Sequence, residues 1–125
     1  MQIQQQETCA RVPRAEAIAQ LNDALRRGDR NAIGAKGGRY FITQGVEALP
    51  GYDPGVLAAA LASYDGFDPD NDPHGERDFG DFNLFGADLF WKIDYYDQTL
   101  TYGSDDPADP AKTTRVLTIM LTSEY

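Results

Sequence analysis

Asp68, Asp70, Asp72, His74, Glu76 and Asp78 alternate with other residues through one short stretch, DPDNDPHGERD. Carboxylates at every second position can converge on a hard cation, as the oxygens of calcium loops do. A histidine beside carboxylates can shuttle protons in a hydrolytic reaction. A spaced row of carboxylates can also imitate a row of phosphates and bind a basic surface. The calcium pattern fails when counted from Asp68. Its sixth position, which needs glycine for a sharp turn, is Pro73, and its twelfth, which needs a bidentate glutamate, is Phe79.

His74 is the single histidine and Cys9 the single cysteine, so the common structural zinc sites are excluded. His74-Gly75-Glu76 matches the start of a zinc deaminase signature, but that signature needs two further cysteines. No metal or cofactor is assigned. Ser63, Ser104 and Ser123 lie in no nucleophile motif, and Gly34-Ala35-Lys36-Gly37-Gly38 lacks the spacing of a phosphate-binding loop. The enzyme reading that remains is a small hydrolase using His74 with Glu76, Asp78 or Asp94. Its plain counterpart is a turn in which the His74 ring bonds a nearby carboxylate and locks the loop.

Charge favours an interaction protein. The net charge is −9, yet residues 1–50 carry seven Lys/Arg against five Asp/Glu, whereas residues 51–125 carry four against fifteen. A surface this negative repels a nucleic-acid backbone, so no direct nucleic-acid binding is expected. Asp68, Asp70, Asp72, Glu76, Asp78 and Asp81, joined by Asp105, Asp106 and Asp109, are the expected interaction residues, and the expected partner is the basic surface of a nucleic-acid-binding protein or complex. Aromatics recur beside the acids, as in Tyr64-Asp65, Phe67-Asp68 and Asp94-Tyr95-Tyr96-Asp97. Aromatic anchors ringed by carboxylates suit a protein interface, although half-buried sheets produce the same pairs.

The elements positioning these residues follow from periodicity. Ile18, Leu21 and Leu25, with Ala17 and Ala24, predict a helix over Pro13–Arg27 closed by Gly28, with Pro13 as its first residue. Asp53 and Pro54 open a second helix to Tyr64, with Val56, Leu57, Ala60, Leu61 and Tyr64 on one face. Strands are expected at Arg39–Thr43, Asp81–Phe85, Leu89–Tyr96, Thr99–Tyr102 and Arg115–Leu121, with Leu89, Trp91, Ile93 and Tyr95 facing the core. Asp65–Gly80 and Ser104–Thr114 read as acidic loops. The expected fold is α+β: two helices in the N-terminal half packed on a small, mostly antiparallel β-sheet. A length of 125 residues suits one domain over 1–125, with 1–12 frayed. With no apolar run of membrane-spanning length, the expectation is a cytoplasmic protein without membrane contact.

The blocks Phe67–Gly80 (FDPDNDPHGERDFG), Leu89–Asp97 (LFWKIDYYD) and Thr114–Leu121 (TRVLTIML) resemble the motifs of an uncharacterised bacterial family, domain of unknown function 3768. The resemblance runs from the helix containing Leu21-Asn22-Asp23 to Tyr125. It supplies no catalytic residues. It implies a likeness to small accessory products of plasmids and phages, whose frequent role is blocking host defence. The functional expectation is therefore an acidic inhibitor of a bacterial nucleic-acid-targeting defence system, of the anti-CRISPR or anti-restriction kind, acting as a nucleic-acid mimic.

Overall fold

A computed structural model describes residues 12–34 and 37–125, so Cys9 and the Ala35-Lys36 step of the glycine-rich stretch lie outside the described residues. Helix α1 spans Arg14–Arg27. It ends where Gly28 takes a left-handed conformation, φ 74°, which lets its N–H reach back to the Leu25 carbonyl. Pro13 flanks the helix with extended ψ and is not its first residue, because its fixed φ suits the approach as well as the first turn. Two one-turn helices were not expected: α2, Arg30–Ile33, capped by Asp29, and α3, Gln44–Glu47, capped by Thr43. Helix α4 spans Pro54–Ala62, and the Asp53 carboxylate accepts from the Gly55 and Val56 amides at 2.8 and 3.2 Å.

Four strands form one sheet: β1, Gly38–Ile42; β2, Phe79–Leu84; β3, Ala87–Tyr96; β4, Thr114–Leu121. Their order is β1-β4-β3-β2. β2–β3 and β3–β4 pair antiparallel and β1–β4 pairs parallel, with Tyr40 opposite Leu117 and Trp91 opposite Ile119. The fold is thus α+β, with the helices in the N-terminal half. Thr99–Tyr102 is a turn and not a strand. The Asp97 carboxylate accepts from the Thr99 and Thr101 amides, both at 3.1 Å, and Leu100 sits at φ 60°, so the local capture outcompetes any ladder.

The helices cover the sheet face bearing Leu89, Trp91, Ile93, Leu117 and Ile119, all buried. Leu57 and Leu61 of α4 and Ala24 and Leu25 of α1 pack in one cluster with that face, and each fully buried aliphatic side chain contributes about 1.5–3 kcal/mol. Val56, expected on the buried face, is 46% exposed, because α4 seats only its Leu57–Leu61 edge. On the opposite sheet face, Phe90 is held edge-on between Phe79 and Tyr125 at centroid separations of 5.1 and 4.6 Å. β4, central and buried on both faces, explains its unbroken apolar run.

Candidate interaction surface

The central loop, residues 65–78, is built by its own side chains. The Asp68 carboxylate accepts from the Asp70 and Asn71 amides at 2.8 and 3.0 Å, while the Asn71 side chain accepts from the Asp68 amide at 3.0 Å and donates to the Gly66 carbonyl at 2.8 Å. Asp72 accepts from the Arg77 amide at 3.0 Å, which holds Arg77 at φ 53°. A carboxylate that accepts backbone N–H groups keeps its full negative charge, so these turns fix the acids without neutralising them. Beneath the loop, Tyr64 packs edge-on against Phe67, Phe82 and Trp91.

Three buried or half-buried residues tie this loop to the rest of the fold. Asn22, fully buried on α1, donates through Nδ2 to the Glu76 carbonyl at 2.9 Å and to Tyr95 Oη at 2.8 Å, and accepts from Arg115 Nε at 2.8 Å. Tyr95 in turn donates to Glu76 Oε1 at 2.9 Å. Arg115 stacks over the Tyr95 ring and donates to the Pro107 carbonyl of the second acidic loop. Asn22, Tyr95 and Arg115 therefore pin Glu76 of one acidic loop and Pro107 of the other to a common point. Asp106 adds a contact to the start of α1, accepting from Arg14 at 3.3 Å. Burial pushes the Tyr95 phenol up and the Arg115 guanidinium down.

A parallel ion network clamps the loop to α1. Arg77 donates to Asp23 at 2.8–3.1 Å and to Glu16 at 3.1–3.3 Å, and buried Arg26 donates to Asp23 at 2.6 Å and to the Leu61 and Tyr64 carbonyls at 3.0 and 3.1 Å. Burial works against the Asp23 carboxylate, but hydrogen bonds from Arg77 and Arg26 outweigh it and hold its pKa below 3.8. The Arg77 hydrogen bonds hold Glu16 below 4.5. Depressed carboxylate values mean that this network stabilises the fold fully above the ordinary carboxylate range, and that this stabilisation declines below that range and is lost as pH falls through the lowered values. Arg77→Met is expected to cost about 1–3 kcal/mol at neutral pH, with the gap to the wild-type protein closing as pH falls below the ordinary carboxylate range. Urea midpoints of both proteins across that range would check it.

The expected site residues separate into three groups. Asp70 and Asp105 are exposed and, with Asp81 on β2, accept no hydrogen bond through their carboxylates among the described residues. Asp68, Asp72, Asp106 and Asp109 hold backbone turns, and of these Asp106 also pairs with Arg14. Glu76 and Asp78 turn inward: Glu76 accepts from Tyr95, and burial raises Asp78 above 3.8, with Glu76 and Asp72 adding to the rise and His74 opposing it. His74 is exposed beside Asp68 and Asp72, and its ring bonds no carboxylate among the described residues, so it does not lock the loop. Asp94 pairs with Lys92 on the sheet face opposite Tyr95. Among the described residues, no group of three or more His, Cys, Asp or Glu side chains could hold a metal ion.

Asn22, Arg26, Tyr95, Arg77 and Arg115 were not expected as site residues. Their signal lies in the pattern. Asn22 falls four residues after Ile18 and three before Leu25 on the buried stripe, and Arg115 shares the alternation of Leu117 and Ile119.

A family model described as a protein of unknown function (DUF3768) matches residues 42–124. The match starts later than the Leu21 boundary suggested by the sequence blocks, and it contains both acidic loops, Tyr95 and Arg115. No curated protein and no solved structure matches the chain.

Proposed function

The chain belongs to this family of proteins of unknown function, DUF3768, and we propose that it is a non-enzymatic acidic inhibitor that occupies the basic nucleic-acid-binding groove of a bacterial defence effector. The observation that carries this reading is the pinning of two acidic loops to one buried point by Asn22, Tyr95 and Arg115. Loops held this way present Asp68, Asp70, Asp72, Asp105, Asp106 and Asp109 as a pre-organised set, so little ordering entropy is lost on binding. Charge steers the encounter, and half-buried aromatics at the loop bases, Phe67 and Phe82, supply apolar contact. The anti-CRISPR or anti-restriction setting comes from the likeness to accessory products of plasmids and phages. The setting proposed is the cytoplasm. Among the described residues no helix is long and apolar enough to cross a membrane.

A hydrolase built on His74 has less support, because Glu76 is turned to Tyr95 and Asp94 to Lys92. A pull-down of the tagged protein from a bacterial lysate at low and high salt tests the proposal. The expected result is capture of a nucleic-acid-binding effector that elutes as salt rises, because interactions between exposed charges are screened within about 8 Å at physiological ionic strength. Capture that is indifferent to salt would count against an electrostatic interface.

A further inference from the structure

The acidic loops leave one region of opposite character unused. β1 is an edge strand, and Tyr40 and Phe41 on it are 44% and 53% exposed. Arg115 donates its amide to the Gly37 carbonyl at 2.7 Å and Thr43 donates to the Ile119 carbonyl at 3.1 Å. In a parallel ladder of this register, Gly37, Arg39, Phe41 and Thr43 direct their backbone groups toward β4. Gly38, Tyr40 and Ile42 therefore direct N–H and C=O to the open edge, where no other strand lies among the described residues.

An apolar groove of about 320 Å³ opens beside that edge, lined by Tyr40, Ile42, Leu57, Ala58 and Leu61, with Arg27 at its rim. Arg30 adjoins Gly38 and Tyr40 in a neighbouring hollow, and Arg39 projects from β1 itself. Arg27, Arg30 and Arg39 are all exposed, and none pairs with an acid among the described residues. Asp29, beside Arg30, and Asp53 are turned onto the caps of α2 and α4, and Asp23 is held by Arg26 and Arg77. Arg27 and Arg30 on the groove side and Arg39 on the opposite face of the same strand, on a chain of net charge −9, make this edge complementary to an acidic ligand.

We propose that the outer edge of β1 takes an extended acidic peptide of a partner protein as an added strand. Side chains of an added strand alternate between faces, so every second residue would fall on the side of Tyr40 and Ile42 and enter the groove if aliphatic. Carboxylates on the alternate positions of that strand would fall on the opposite sheet face, beside Arg39, and acids flanking the strand would meet Arg27 and Arg30 at the groove. This surface lies apart from the acidic loops and does not depend on their function.

The test is fluorescence anisotropy with a labelled synthetic peptide of alternating valine and glutamate, and with a second peptide carrying glutamine in place of glutamate. The acidic peptide is expected to bind at least about tenfold more tightly than the neutral one. Ala58→Trp, which fills the groove from an exposed position, and the triple variant R27E/R30E/R39E are each expected to weaken binding by about tenfold or more. Asp70→Lys, on the acidic loop, is expected to leave it unchanged. Absent binding, equal binding of the neutral peptide, or indifference to both groove variants would overturn the proposal. A concentration-dependent dimer abolished by Ala58→Trp would assign the edge to a second copy of the chain and overturn it as well.

Discussion

Replacing Asn22 with alanine is expected to destabilise the protein by about 3–5 kcal/mol. Asn22 is fully buried and makes three hydrogen bonds, to Glu76, Tyr95 and Arg115, which come from three separate segments of the chain. Truncation leaves the Glu76 carbonyl and Arg115 Nε without their partner. Arg115 is also fully buried, and no carboxylate bonds its guanidinium among the described residues. Leaving an interior cation short of hydrogen bonds is costly, because water is excluded from replacing them. The same change releases both acidic loops, so amide hydrogen exchange should quicken across residues 66–78 and 104–109 beyond what global destabilisation produces. A denaturant midpoint within about 0.5 kcal/mol of the wild-type value would show that the network does not hold the loops.

The second large effect is functional and leaves stability alone. Asp70, Asp81 and Asp105 are exposed, and their carboxylates bond nothing among the described residues. Reversing all three to lysine should therefore shift unfolding by less than about 0.5 kcal/mol. At Asp70 and Asp105 the reversal replaces an attractive charge with a repulsive one toward a basic groove, and Asp81, on the sheet face of Phe90, adds to the overall field. Three together are expected to weaken binding of the captured effector by about 100-fold or more, mostly through slower association at low salt. Reversing Asp68 or Asp72 instead would confound the experiment, because those carboxylates also hold the loop backbone.

The elements were legible where a local signal decides them. Gly28 and Asp53 mark helix ends because one needs a left-handed backbone and the other caps free amides. The alternation of Leu89, Trp91 and Ile93 identifies the buried face of β3 because side-chain period alone sets it. The misses have equally local causes. Thr99–Tyr102 carries strand-forming residues, but Asp97 captures its amides. α2 and α3 are a single turn each, too short to show a period. Val56 looks like core because α4 is apolar nearly all round, and only tertiary contact chooses which edge is buried.

The acids of the candidate site were visible as a list but not as a surface. Their convergence depends on Asn22 meeting Arg115 across |i−j| = 93, a pairing no local pattern encodes. The sequence alternation also grouped Glu76 and Asp78 with the outward acids, whereas the fold turns both inward onto Tyr95 and the sheet. The parallel β1–β4 pairing, which exposes the edge of β1, is likewise a long-range outcome.

Competition between this protein and duplex DNA for the effector recovered by pull-down tests the central claim most directly. If the acidic loops occupy the nucleic-acid groove, binding of the two is mutually exclusive, and raising salt weakens both. A stable ternary complex of effector, DNA and this protein would contradict the account.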